Sequence, residues 1–379
     1  MKELSLQRFL KSYNTVFHNE KWIDTLTKDP YNIKVMGKGE RVLFKYNQIA
    51  SDFNKTLVQE CRGIILWKDN WDKIVCHPLH KFFNYGEQNA AELDWESTVV
   101  LEKMDGSLIK VYWWDGEWRV ATNGTIEACD AELQFPAESK GLYTFDDLFH
   151  YTLSEYTADS EGDFFSQLDK EYTYLFELCT PYNRVVVPHT ECKLYYITAK
   201  KNDAEGEEIR ENHTIVDTIR EYKMNSYDDA IKMAQLLPYD NEGYVLVDKY
   251  NNRVKVKSPA YLAVHRLKGE DVPSKRKIFD LILMGEEGEF LSYFPEYTEE
   301  FERIKKGWEI IQEKVRMDIK FLAMGTEFNT RKEFAMVAKE AVFPGLMFQL
   351  YDGKEITITE YVQNMSQKSK DTLLKDMED

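Results

Sequence analysis

The chain has 379 residues, of which 43% are hydrophobic, 30% charged and 14% aromatic. That is too long for one ordinary core and predicts two domains or three; a peptide-sized module and a disordered chain are both excluded. The formal net charge of −17 repels polyanions at long range, so composition alone argues against a nucleic-acid partner unless a local basic groove overrides the overall field.

In the first seventeen residues every apolar stretch is interrupted by a charged or polar residue. This predicts neither a signal peptide nor a membrane span. The five cysteines, Cys61, Cys76, Cys129, Cys179 and Cys192, are odd in number, scattered and without a CxxC pair, which argues against a disulfide framework or a thiolate zinc site and for a reducing cytoplasm. From about residue 33 to 258, short Val/Ile/Tyr/Phe/Trp runs broken by turn signals predict antiparallel sheet with helices. The period then changes. Phe301, Ile304, Trp308, Ile311, Val315 and Leu322 recur at helical spacing, predicting one long amphipathic helix over 301–322 with Trp308 in its core stripe. Residues 274–284 and 331–342 are also expected to be helical. The boundary falls near Lys268–Ser274, where KGEDVPS gathers Gly, Pro and charge. The expected fold class is therefore α+β, an antiparallel-sheet domain over 1–268 followed by an all-α domain over 269–379.

The informative chemistry begins at Leu101-Glu-Lys-Met-Asp-Gly-Ser-Leu108. Asp105-Gly106 and Asp115-Gly116 are turn signals, so 98–103, 107–114 and 117–122 are expected to form a three-stranded meander. Lys103 then sits at a strand end beside a tight turn, where a lysine is a suitable nucleophile for a phosphorus centre once deprotonated; the same residues also describe a surface lysine next to a hairpin. A second hairpin is expected from Glu242-Gly-Tyr-Val-Leu-Val-Asp248, Asn251-Asn252 and Arg253-Val-Lys-Val-Lys-Ser258. Period two puts Lys255 and Lys257 on one face, opposite to Val254 and Val256. A two-residue loop sets Lys257 opposite Leu246 and Lys255 opposite Asp248, with Glu242 on the charged face. Taken alone, an edge hairpin with solubilising lysines fits equally.

These blocks together resemble the bacteriophage-type ATP-dependent RNA ligase 1 family, within the covalent nucleotidyltransferases that include DNA ligases and mRNA capping enzymes. Lys103-Met-Asp105-Gly106 is similar to the nucleotidyl-lysine motif, and Phe176-Glu177, Glu242-Gly243 and Lys255-Val-Lys257 follow in the family's order. Closer to the RNA ligase 1 branch are Glu60-Cys-Arg62-Gly63-Ile64, Lys81-Phe-Phe83-Asn84, the extension Glu177 to Val186, and Tyr261, four residues after the last lysine. The resemblance covers roughly residues 40–265. One departure stands out: at Ala121-Thr-Asn123-Gly124, Asn123 occupies a position that is often basic in the family, which leaves a phosphate contact there without charge assistance.

The resemblance implies a nucleotidyltransferase domain and a reaction in three steps. Lys103 attacks the α-phosphorus of ATP, the AMP passes to an RNA 5′-phosphate, and an RNA 3′-hydroxyl displaces the AMP. Lys255, Lys257 and a metal cation would lower the pKa of Lys103 and neutralise the phosphoryl oxygens, with Arg62 as a bidentate phosphate clamp. The implied nucleotide contacts also include Glu102, Gly106, Lys81, Phe83, Glu177 and Tyr261. Mg²⁺, with Mn²⁺ as a substitute, would be held by Glu242 first and by Glu177. Phe83, Tyr112 and Phe176 are candidates for stacking on adenine or for the core. The implied partner is RNA with 5′-phosphate and 3′-hydroxyl ends, a broken tRNA being one such target, and a monomer is expected.

Other features have plainer readings. His77 and His80 are spaced like metal ligands but lack a second pair, so a structural role is expected. Cys61 is expected to pack behind Arg62. The Lys275-Arg276-Lys277 and Lys305-Lys306 clusters are read as solvated helix faces, with RNA contact as the alternative. Two further hypotheses are weighed: DNA joining or GTP-dependent capping, whose enzymes continue into a small β-barrel where this chain turns helical, and a non-catalytic RNA-end binder, against which the intact Lys103 and carboxylates argue.

Overall fold

A computed structural model describes residues 2–16, 21–156, 161–268, 273–285, 287–324, 328, 330–354 and 356–377. The chain divides into two compact units, Met1–Ala263 and Val264–Asp379. Most of the KGEDVPS stretch, residues 269–272, lies outside the described residues, as does the side chain of Leu322. No helix among the described residues is long and apolar enough to cross a membrane.

The first unit is α+β. The strands Ile33–Lys38, Arg41–Tyr46, Arg62–Trp67 and Asn70–Cys76 form an antiparallel sheet in chain order. A second sheet runs Glu208–Ile209, Lys193–Lys201, Tyr172–Cys179, Ser107–Trp114, Glu117–Thr122, with Asp217–Thr218 added in parallel to Lys193–Lys201. A third runs Glu221–Tyr222, Val99–Glu102, Gly243–Val247, Arg253–Lys257, Phe83–Asn84.

Alternation along Ser107–Trp114 decides how these layers pack. Ile109 and Val111 enter a core with Phe176, Leu178, Leu194 and the helix Phe145–Ser154, through Leu148, Phe149 and Leu153. Tyr112, from the other face, packs with Leu43, Ile65, Val75 and Cys76 of the first sheet. The first sheet's outer face is covered by the helix Ser5–Val16 through Leu6 and Leu10. The third sheet rests Val100, Tyr244, Leu246 and Val256 on Ala230 and Ala234 of the helix Tyr227–Leu236.

Two expectations about local topology are corrected. Val99–Glu102 does not pair with Ser107–Trp114 in a meander; the two strands belong to different sheets, and residues 103–106 cross from one to the other. Asp105-Gly106 is held as this crossover by long-range contacts described below. Asp115-Gly116 is the true hairpin turn, with φ of 50° and 83° and Trp114 paired to Glu117. The later hairpin has a five-residue loop over 248–252 rather than a two-residue one. Asp248 Oδ1 accepts from Tyr250 N and Asn252 N, both at 2.9 Å, and Asn251 takes φ 64°. Lys257 therefore stands opposite Gly243, and Lys255 opposite Val245.

The second unit is helical throughout its described residues: Lys275–Met284, Glu287–Tyr293, Thr298–Met324, Arg331–Ala338, Pro344–Tyr351, Ile358–Gln363 and Gln367–Asp376. The expected stripe is its core, with Phe301, Ile304, Trp308, Ile311 and Val315 buried and the Trp308 ring meeting Phe279 edge to face. Ser274 caps the helix it precedes by accepting from Lys277 N. Arg276 and Lys305 are ion-paired to Asp371 and Glu287.

Candidate active site

Because residues 103–106 pass from one sheet to another, Lys103 lines a cleft between them. The cleft, about 640 Å³ including its open mouth, has apolar walls from Leu101, Val245 and Val247 on one sheet and Leu108 and Ile197 on the other, with Phe82 at one side. Its polar groups are Glu102, Lys103, Glu177, Arg62, Arg210 and Arg253.

The crossover is locked by Asp105. Its Oδ2 accepts from Val186 N at 2.8 Å and Val187 N at 2.7 Å, and its Oδ1 accepts from Tyr261 Oη at 2.8 Å. The Asp105 backbone oxygen meets His189 Nε2 at 2.6 Å. The extension after Glu177 thus works as a clamp on the lysine segment, and Tyr261 lies buried beneath it rather than in the cleft. Gly106 donates its N–H to Glu177 Oε1 at 3.2 Å; a Cβ there would meet the Leu178 carbonyl and stand 2.8 Å from Cys179 Sγ, so only glycine fits.

Glu242 is buried and serves two lysines, Lys103 Nζ at 2.7 Å from Oε2 and Lys257 Nζ at 2.8 Å from Oε1. Burial alone raises its pKa, yet the two ammonium groups win and hold it below the usual carboxylate range. Lys103 answers in kind. Burial opposes its charge, but Glu242 and Glu177 overcome that and keep the amine above its ordinary value. The expectation that Lys255 and Lys257 depress Lys103 is therefore corrected. Glu242 bonds the amine directly, and it neutralises Lys257 as well.

The depressed amine is Lys255. Burial, then Arg62, Lys103, Lys81 and Lys257, push it down to about 6, and its Nζ lies over the Phe82 ring at 4.6 Å. Glu177 is pushed up to about 7, by burial first and then by Glu242 and Asp105, against Lys103 and Arg62. It makes no ion pair among the described residues. Arg62 stacks on Phe82 at 5.2 Å, and its buried Nη1 has no hydrogen-bond partner. Lys81 is turned onto the rings of Phe53, Tyr46 and Phe83, and burial first, then Arg62, lowers its pKa. Glu102 lies on the cleft wall and accepts weakly from Tyr222 Oη at 3.5 Å.

The structure thus brings together Arg62, Glu102, Lys103, Gly106, Glu177, Glu242, Lys255 and Lys257. It keeps Phe83, Tyr112 and Phe176 in the core, where none lines the cleft; Tyr112 Oη donates to Ile126 O and accepts from Arg41. Phe82, adjacent to the residue chosen from sequence, is the aromatic side chain in the cleft. Arg210 and Arg253 were also missed. Arg253 forms a buried two-point pair with Glu208, and Arg210 Nη1 is buried without a hydrogen-bond partner among the described residues. Alternation would have flagged Arg253, whereas Arg210 carries no local signal.

The plainer readings hold where they are described. His77 Nδ1 bonds the Lys201 carbonyl at 2.9 Å and its Nε2 lies 3.4 Å from His80 Nε2. Burial and Lys200 keep both rings neutral, His80 being pushed down to about 3. Cys61 is buried in the first-sheet core, where burial raises its thiol pKa well above the ordinary value. The only cluster of metal-type ligands among the described residues, Glu127, Cys129 and Asp130, is remote from these carboxylates in sequence and is engaged by Lys38 and Arg41.

A family profile described as RNA ligase matches residues 60–261, more than half of the chain. Among curated proteins, the putative bifunctional polynucleotide kinase/RNA ligase of Autographa californica nuclear polyhedrosis virus is 28% identical over 289 residues, covering 70% of this chain and 40% of the viral protein. The RNA ligase of Rhodothermus phage RM378 is 24% identical over 419 residues, covering 92% of this chain and 93% of its own. Among solved structures, an archaeal ATP-dependent RNA ligase aligns with a TM-score of 0.44 at 10% identity, over 91% of this chain and 83% of that one. The motif segments from Arg62 to Tyr261 all lie within the matched span, and the chain belongs to the RNA ligase family in its bacteriophage RNA ligase 1 branch.

Proposed function

We propose that this chain joins RNA 5′-phosphate and 3′-hydroxyl ends at the expense of ATP, carrying AMP first on Lys103 and then on the RNA 5′-phosphate. The observation that carries this reading is the position of Lys103, whose Nζ stands 2.7 Å from Glu242 and which lines, with Arg62 and Glu177, an apolar-walled cleft. Such a cleft suits a flat base between Leu101, Val245, Val247 and Ile197, with phosphates directed to Arg62, Lys255 and Lys257.

In the first step the Lys103 lone pair forms an N–P bond to the α-phosphorus and the P–O bond to pyrophosphate breaks. The attack requires Nζ to give up a proton, which passes to solvent, and Glu242 aims the amine meanwhile. Lys255, near neutral by itself, takes up a proton as phosphate charge arrives and so becomes a cation where charge builds up in the transition state. The hard oxygen donors of Glu177 and Glu242 suit Mg²⁺ or Mn²⁺, and Glu177 makes no ion pair among the described residues. A divalent ion held by these two carboxylates would supply positive charge that offsets their pull on the Lys103 proton. In the second step a 5′-phosphate oxygen of RNA displaces Lys103 from the AMP. In the third a 3′-hydroxyl attacks that 5′-phosphate and AMP leaves.

Incubation with ATP labelled at the α-phosphate and Mg²⁺ tests this directly. The expected result is a covalent protein–AMP adduct that is absent from Lys103→Ala and is discharged by 5′-phosphorylated RNA; label taken only from GTP would favour capping instead. We assign selection of the RNA, a cleaved tRNA being one class, to the helical unit. Equal loss of joining on generic and nicked structured RNA after its removal, with the first unit still folded, would count against that assignment.

A further inference from the structure

Beside Arg62, the first unit gathers more positive charge than its own residues neutralise. Lys45 stands directly opposite Arg62 in the antiparallel register of Arg41–Tyr46 and Arg62–Trp67, after a register shift between Phe44 and Lys45. Both side chains consequently leave the same face of the sheet, where like charges in opposition cost stability. A third cation, fully buried Lys110, arrives from the facing sheet and donates to the Gly63 carbonyl at 2.5 Å. Burial lowers the pKa of Lys110, and Lys45 and Arg62 both act on its charge and lower it further. A Cβ on Gly63 would lie 3.0 Å from Lys110 Nζ and 3.0 Å from Asn123 Oδ1, and one on Gly124 would lie 3.3 Å from Lys45 Nζ.

None of Lys45, Arg62 and Lys110 makes an ion pair among the described residues, although the chain has 66 acidic residues. Two buried polar atoms of the residues flanking these glycines, Arg62 Nη1 and Asn123 Oδ1, also lack hydrogen-bond partners among the described residues. A buried unsatisfied donor beside an unpaired cation needs an anion to complete it. Nothing bonded to Asn123 Oδ1 fixes the amide, so turning it about its terminal bond presents the NH₂ group in its place. Asn123 brings no charge, so the charge at this end comes from Lys45.

We propose that Lys45, with Arg62 Nη1 and the Asn123 amide, forms a phosphate-binding subsite that grips a phosphate other than the one under attack. Lys110 holds the Gly63 turn open beneath it. This rests on the ligase reading above, in which two sources bring such a group: the pyrophosphate end of ATP and the 5′-phosphate of RNA.

The test uses the full chain with Lys45→Met, which keeps the stem, and Lys45→Arg, which keeps the charge. Three quantities are read: the rise in melting temperature caused by pyrophosphate alone, the KM and kcat for protein–AMP formation from ATP, and transfer from purified protein–AMP to 5′-phosphorylated RNA. If ATP is the source, Lys45→Met abolishes the pyrophosphate shift and raises KM for ATP roughly 10- to 100-fold, as expected for a lost charged hydrogen bond, with kcat changed far less and Lys45→Arg restoring both. If RNA is the source, the first two readouts stay and the KM for RNA in transfer rises by the same factor. Wild-type values for all three in Lys45→Met would overturn the subsite. The pyrophosphate shift needs no chemistry, so a wild-type chain that bound pyrophosphate but formed no protein–AMP would sink the ligase reading alone.

Discussion

Lys103 and Lys257 bind the two oxygens of one carboxylate, their ammonium nitrogens standing 2.7 Å from Glu242 Oε2 and 2.8 Å from Oε1. The nucleophile proposed here is therefore held as a cation by the same group that aims it. In Glu242→Gln the attraction that outweighs burial is removed, and the Lys103 pKa is expected to fall from above the ordinary lysine value to below it. The pH dependence of Lys103 labelling by an amine-reactive probe, read by peptide mass spectrometry, checks this. An unchanged midpoint would mean that Glu242 does not set the charge of Lys103.

Lys255 is expected to behave in the opposite way. Buried beside Arg62, Lys103 and Lys81 and pushed down to about 6, it is largely neutral at pH 7.5. An incoming phosphate favours its charged form, so nucleotide binding should draw in roughly one proton. Calorimetry in buffers of different ionisation enthalpy measures that uptake, and Lys255→Met should remove most of it while stabilising the ligand-free protein. Proton-neutral binding by the wild type would refute the assignment.

Glu177 carries a stability prediction. Its folded pKa, about 7, lies above the ordinary carboxylate value of 4.5, so the folded protein binds the extra proton between those two pH values. Stability is consequently lost as pH rises from 4.5 to 7 and the loss is complete above 7. Glu177→Gln, which has no charge to bury, should match the wild type near pH 4.5 and exceed it at pH 8. The gain is on the order of 1–3 kcal/mol once allowance is made for the solvent that reaches the cleft. Denaturant titrations at the two pH values decide it.

The same residues explain what was legible in the sequence. Phe301, Ile304, Trp308, Ile311 and Val315 could be assigned to one helix face because a 3.6-residue period is a local property and survives folding. Asp105-Gly106 misled because an Asp-Gly pair between apolar runs is a strong local hairpin signal. What overrides it is distant in sequence, the bonds from Val186, Val187 and Tyr261 to one carboxylate. The Asn251-Asn252 turn failed for a similar reason, since Asp248 had been counted as strand although its side chain closes a wider loop. Lys45 and Lys110 gave no signal at all; each is a single lysine flanked by apolar neighbours within its strand, and only the stacking of two sheets brings them together.

The clamp around Asp105 separates a positioning role from a binding one. Tyr261 donates to Asp105 Oδ1 but is buried beneath the cleft, so Tyr261→Phe should cost about 1.5–3 kcal/mol of stability, the value of a hydrogen bond to a charged group. It should also lower kcat for protein–AMP formation by loosening Lys103, with little change in KM for ATP. A large rise in KM with unchanged stability would instead make Tyr261 a nucleotide contact.

Phe82 and Phe83 provide the sharpest contrast, because they are neighbours whose side chains leave the chain on opposite sides. Phe83 is buried against Phe53 and under Lys81; Phe82 lines the cleft with Arg62 and Lys255 over its ring. Truncating Phe83 leaves a cavity, so Phe83→Ala should destabilise the first unit by about 3–5 kcal/mol. Truncating Phe82 removes a wall of the cleft and the surface on which both cations rest, while burying no new void. Phe82→Ala should leave the melting temperature within a few degrees and raise KM for ATP about tenfold. Thermal melts and protein–AMP kinetics on the two variants check both halves. If Phe83→Ala were the stable, weak-binding variant and Phe82→Ala the unfolded one, the placement of the cleft between these two sheets would be wrong.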